Sequence, residues 1–320
     1  MPDTDAHKII NEVRETTLHF LWRQWRVIGA SVSSEGQART IVDPEALILM
    51  SLWLLKEERR LADVTVTWVR LNSRLLSIQR LRNAVSEFPK VVRHRLAWLA
   101  EMGMTDAKDA RWQSLRSGPT EEFGVRKPKE RAITPKLNTW ATLMLQMRRG
   151  MGVGAKADVL TCVLGTSAGN TGWGSVAGIA GTVAYSTLSV RKAADDLSDA
   201  RFIRSLETVE GERTSRRMYS VDGTAWSQLL KLSMYQPGWG YWLERFRFII
   251  DLVTWLDEMA ARSATAYALD AGARKLLTRH RETLWRDQVV DQTEFAGSEL
   301  DLEYLNRAWQ QMASFLKHRA

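Results

Sequence analysis

Cysteine is almost missing from this chain of 320 residues, with Cys162 the single one. No internal disulfide is therefore available, and a lone thiol on the apolar side of a predicted helix is expected to pack in the core. Long apolar runs are also lacking. Without a stretch of eighteen apolar residues or a secretory leader pattern, the expectation is a soluble, cytoplasmic protein with no membrane partner. Histidine is sparse: His7, His19, His94, His280 and His318 are scattered, and none stands at metal-ligand spacing from another histidine or the cysteine. No Gly-x-Ser-x-Gly elbow is present. The acidic pairs Glu57-Glu58, Glu121-Glu122 and Asp195-Asp196 are adjacent in sequence, so each pair points to different helix faces and forms no dyad.

Gly150-Met151-Gly152-Val153-Gly154-Ala155 approximates a dinucleotide fingerprint. That motif requires a strand before it, whereas 143–149 reads as helix. A P-loop fails too, because Lys156 is followed by Ala157 where Ser or Thr is needed. These absences predict no cofactor, no metal and no enzymatic activity.

What the chain does have is helix periodicity and positive charge. Lys and Arg number 45 against 37 Asp and Glu, a formal charge of +8, which suits an anionic partner without naming it. The excess lies upstream: residues 56–95 hold ten basic and four acidic side chains, and residues 111–149 hold nine and three. An upstream basic region is suited to flanking phosphate backbone or RNA, or to a solvated helix face. Fourteen tryptophans are many for this length. Trp22, Trp25, Trp53, Trp68, Trp98, Trp242, Trp255 and Trp309 recur at helical positions and are expected mainly in cores.

The most informative segment is 155–221. Val159, Leu160, Val163 and Leu164 form one helical stripe. Loop residues follow, and Ser175 is placed to cap a short helix over 176–180. A turn at Gly181-Thr182 leads to a second helix starting near Ser186. On that helix Val190, Ala193, Ala194 and Leu197 share an apolar face. Ser186, Thr187, Ser189, Arg191 and Lys192 occupy the opposite face, with Asp195, Asp196 and Asp199 further along. The period then changes to that of strands on either side of Glu210-Gly211-Glu212-Arg213, which predicts a hairpin with Arg213, Arg216 and Arg217 at or beyond its tip. The segment is neutral overall, with eight residues of each charge from Ala155 to Asp222, so only the arrangement of charge favours nucleic acid.

Through the apolar first helix, the Tyr185-Ser186-x-x-Ser189-Val190-Arg191 opening, Leu197 with its following 199–203, and the Arg-rich hairpin, this segment resembles the winged helix-turn-helix regulators of the MarR and ArsR kind. The resemblance covers about seventy residues. It implies a sequence-specific and usually dimeric regulator of transcription, such as a repressor, that binds double-stranded DNA. Ser186, Thr187, Ser189, Arg191 and Lys192 would face base edges, while Arg213, Arg216 and Arg217 would grip the backbone. Two departures stand out: Asp199-Ala200-Arg201 replaces an acidic-then-Gly turn, and the segment is embedded between large helical regions.

The predicted fold is mainly α, a central winged helix-turn-helix flanked by two helical regions. The expected domains are a basic helical one over 1–149, the winged segment over 150–224, and a helical one over 225–320. Upstream helices are predicted over 7–28, 45–56, 62–71, 77–85, 91–102 and 137–149. Asp43-Pro44 marks the start of the second, and the polar, proline-broken stretch 105–135 is the linker. Downstream helices are predicted over 226–234, 241–261, 264–284 and 302–318. The upstream strings LWRQW (21–25), VDPEALILMSL (42–52) and WVRLNSRLLSIQRLRN (68–83) are similar to an uncharacterised bacterial family of regulator-like proteins, some encoded beside nucleotidyltransferases. That likeness implies the alternative: an antitoxin-like or defence-linked protein whose helical regions bind a protein partner such as a cognate toxin.

Overall fold

The computed structural model describes residues 3–30, 38–116, 134–167, 174–210, 214–232, 238–262, 265–286 and 301–318. The protein is mainly helical with small sheets, and it divides into two compact units, 23–240 and the pair of segments 1–22 with 241–320. The sequence-based boundaries at 149 and 224 do not coincide with this division. Buried ion pairs that cross residue 149 supply the physical reason, as described below.

In chain order the elements are α1 (Asp3–Val27), β1 (Thr40–Ile41), α2 (Pro44–Trp53), α3 (Arg60–Asn72), α4 (Ile78–Ala84), α5 (Lys90–Thr105), α6 (Leu143–Met151) and α7 (Ala155–Thr166). These are followed by β2 (Gly174–Ser175), α8 (Val176–Val183), α9 (Thr187–Asp199), β3 (Arg204–Glu210), β4 (Thr214–Ser220), α10 (Gly223–Leu229) and β5 (Gly238–Trp239). The last four are α11 (Trp242–Ala261), α12 (Ala266–Arg279), α13 (Arg281–Arg286) and α14 (Leu302–His318).

Within 23–240, α2 is the core helix. Asp43 caps it by accepting from the Ala46 amide at 3.1 Å, Pro44 fills the first turn, and every residue from Pro44 to Leu52 is buried. A helix apolar nearly all round has to be surrounded, and α3, α4 and α5 pack on it. Its C-terminal carbonyls are satisfied by a buried cation: Arg95 Nη1 donates to Leu52 O at 2.6 Å and to Trp53 O at 2.8 Å. Close packing also fixes two glycines. A Cβ on Gly103 would meet the buried Trp112 ring at 2.6 Å, and one on Gly165 would meet Ile41 at 2.8 Å, beneath the parallel β1–β5 pair. In the segments 1–22 and 241–320, Phe20, Trp242 and Phe246 form an aromatic cluster. The buried Arg245 guanidinium lies 3.5 Å from the Phe315 ring centroid. The helix expected over 264–284 is broken into α12 and α13 at His280, which pairs with Asp251 at 2.9 Å. Trp25, Trp68, Trp98, Trp242 and Trp309 are buried, and Cys162 lies in the core of α7.

Candidate nucleic-acid interface

The described residues within 155–220 fold as three helices, a hairpin and the short strand β2. α7 packs on α6, α8 and α9. Ser175 caps α8, accepting from the Gly178 amide at 3.1 Å. That helix runs on through Gly181 and Thr182 to Val183, three residues beyond its expected end. Thr182 Oγ1 donates back to Gly178 O at 2.9 Å, so these residues lie in the helix and not in a turn. The chain reverses instead at Ala184, whose φ of 53° is left-handed. α9 then begins at Ser186, the cap, which accepts from the Ser189 amide at 3.2 Å.

Every member of the expected apolar face of α9 is buried: Val190, Ala193, Ala194 and Leu197. Thr187, Arg191 and Lys192 are exposed on the other side, as expected. Arg191 has no carboxylate partner among the described residues. The two serines are engaged with each other at the start of the helix. The Ser186 hydroxyl is committed to capping and to the Ser189 hydroxyl at 2.9 Å, and Ser189 is half-buried. Sequence reasoning passed over Leu188, which is 76% exposed on the same face as Thr187 and Arg191. Its position four residues before Lys192 was the available signal.

The hairpin pairs β3 with β4 antiparallel from Arg204↔Ser220 to Glu210↔Thr214, and β2 adds a short third strand along β4. Arg217 stands in a setting other than the expected backbone grip. It bridges Asp195 of α9 at 2.9 Å and Glu207 of β3 at 2.6 Å, while the buried Tyr219 hydroxyl donates to the same Asp195 oxygen at 2.9 Å. The pairing with Glu207, and then with Asp195, raises the Arg217 pKa. Arg217 therefore clamps hairpin to helix, because two carboxylates lie within reach of its fork. Arg216 stands in β4 opposite Thr208, with its side chain outside the described residues, and Arg213 lies outside them altogether. Asp195 faces the hairpin, and Asp196 pairs with Lys156 at 2.9 Å, so neither carboxylate is left unneutralised beside Lys192.

The turn ahead of α9 is held by a buried ionic cluster that sequence reasoning did not find. Arg148 and Arg80 are fully buried and share Glu45. Arg148 grips Glu45 through Nη1 at 2.7 Å and Nη2 at 2.9 Å, and Asp158 through Nε at 2.7 Å and Nη2 at 2.8 Å. Arg80 donates to Asp43 at 2.6 Å, to Glu45 at 2.5 Å and to Val183 O at 2.7 Å. Tyr185 completes the cluster, donating to Asp158 at 3.1 Å and meeting the Ser77 hydroxyl at 2.9 Å. Burial, reinforced by Asp158, pushes the Tyr185 pKa up, which keeps its proton in place as a donor. Burial alone would lower the pKa of both arginines, but the surrounding carboxylates raise it. The partners lie between 10 and 108 residues apart along the chain, and no periodicity reports such pairing.

No protein-family model matches this chain, and no curated protein or solved structure is significantly similar to it.

Among the described residues no cluster of His, Cys, Asp and Glu could hold a metal, and no helix is long and apolar enough to cross a membrane. The ionic cluster is sealed from solvent, so it can position α9 but cannot meet a solute. The face of α9 offers a hydroxyl, an aliphatic side chain and two cations in two adjoining turns, a set that can bond base edges, touch a thymine methyl and pair with phosphate.

Proposed function

We propose that this protein is a sequence-specific regulator of transcription that binds double-stranded DNA through a winged helix-turn-helix, with α9 as the reading helix and the β3–β4 hairpin as the wing. The observation that carries the reading is the division of α9. Val190, Ala193, Ala194 and Leu197 are buried, while Thr187, Leu188, Arg191 and Lys192 face outward near its N-terminal half, the half that enters the major groove in helix-turn-helix complexes. Thr187 and Arg191 read bases in this account, Leu188 touches methyl groups, and Lys192 with Arg213 and Arg216 meets phosphate. Arg217 orients the wing, and Ser186 and Ser189 hold the start of the helix. A homodimer on a two-fold site accompanies the proposal, since one short helix reads few base pairs. Selection of bound fragments from the source genome tests it. The expected result is a small set of fragments sharing a motif with two-fold symmetry, and recovery of unrelated fragments in proportion to their abundance contradicts it.

One observation favours a second reading, a protein that binds a protein partner in the manner of an antitoxin. Phe202 in the turn before the hairpin, Leu206 on β3 and Leu229 on α10 are 42%, 47% and 69% exposed. Solvated apolar side chains suit a protein surface better than a phosphate backbone. Copurification of a stoichiometric partner, combined with no shift of any selected duplex, supports this reading over the first.

A further inference from the structure

We propose that α4 is a second DNA-contacting element, in which Gln79 and Arg82 hold the phosphate backbone beside the bases that α9 reads. The inference rests on the DNA-binding reading of α9 and extends the same surface into a part of the chain far from it in sequence. Three consecutive residues of the turn before α9 are each bonded to α4 or its cap. Val183 O accepts from Arg80 Nε at 2.7 Å, Ala184 O accepts from Asn83 Nδ2 at 2.9 Å, and the Tyr185 hydroxyl meets Ser77 Oγ at 2.9 Å. α4 therefore runs directly alongside the residues that launch the reading helix.

The helix has two sides. Ile78, Arg80, Leu81 and Ala84 are buried against the core, whereas Gln79 and Arg82 are exposed and Asn83 is half-buried at the border with the turn. Arg82 neighbours that border residue in sequence, and it has no carboxylate partner among the described residues. The Arg80 guanidinium beneath it is neutralised by Asp43 and Glu45, so the two cations of this helix play opposite roles. An arginine and an amide three residues apart present parallel donors along one face, the donor set used for phosphate oxygens. Such contacts fix the register of a reading helix without carrying sequence information themselves.

The test compares the full-length protein with Arg82→Ala, Gln79→Ala/Arg82→Ala and Arg191→Ala on two duplexes, one recovered by genomic selection and one scrambled duplex of the same length, across a salt series. Arg82→Ala is expected to weaken binding to both duplexes by the same factor, and to reduce the slope of log affinity against log salt by about one. Ethylation interference should lose a flanking phosphate in the same variant. Thermal unfolding coincident with wild type shows that the fold is kept, as an exposed position allows. Affinity and salt slope equal to wild type for Arg82→Ala and the double variant, while Arg191→Ala loses discrimination, overturn the α4 contact and leave the reading of α9 standing. A wild-type protein that shifts neither duplex overturns both.

Discussion

Single residues matter most where charge is buried. Glu45 accepts from both Arg80 and Arg148 and also from the Ser77 amide at 2.8 Å. Replacing it by alanine leaves two guanidiniums sealed with too few acceptors. Glu45→Ala is expected to destabilise unit 23–240 by about 3–5 kcal/mol in denaturant titration, and a loss below about 1 kcal/mol contradicts the described pairing. Asp109 gives a pH signature. Partial burial pushes its carboxyl up, but the Arg111 guanidinium and the Ser73 hydroxyl hold it down, from an ordinary 3.8 to about 2. Because the folded value is the lower one, the stabilisation is complete above about pH 4 and is lost as pH falls towards 2. Asp109→Asn should flatten that part of the stability curve relative to wild type. An unchanged curve counts against the Arg111 and Ser73 contacts.

Among elements, α9 was legible and its surroundings only in part. Spacing alone separated Val190, Ala193, Ala194 and Leu197 from Thr187, Arg191 and Lys192, because a helix that buries one stripe writes that stripe at intervals of three and four. The cap at Ser175 and the Asp43-Pro44 start of α2 were legible for the same local reason. The end of α8 was not, since Gly181 looks like a breaker while Ala184 takes the left-handed conformation. The clamp by Arg217 and the cluster around Arg148 depend on side chains brought together from different elements, and helix or strand periodicity carries no trace of them. The face assignment has its own check. Leu197→Ala should cost about 2–5 kcal/mol, whereas Leu188→Ala should stay within about 0.5 kcal/mol of wild type. Equal losses for the two contradict the orientation of α9.

For the molecule as a whole, the sequence suggested a reading module inserted between helical domains, and the structure merges that module with the helices before it. Glu45, Ser77, Arg80 and Asn83 all support the turn that starts α9. A fragment spanning 150–224 lacks all four, and it also exposes Asp158 once Arg148 is gone. Such a fragment is expected to show no cooperative thermal transition, while a fragment spanning 23–240 unfolds cooperatively. A cooperative transition in the shorter fragment contradicts the dependence of α9 on the upstream helices. The same dependence makes α4 a neighbour of the proposed DNA-binding surface.

The most direct measurement is the affinity of wild type and Arg191→Ala for a selected duplex and for its scrambled counterpart at fixed salt. If α9 reads bases through Arg191, the variant loses roughly 1–3 kcal/mol of discrimination between the two, with little change on the scrambled duplex. Identical discrimination by both proteins contradicts the account.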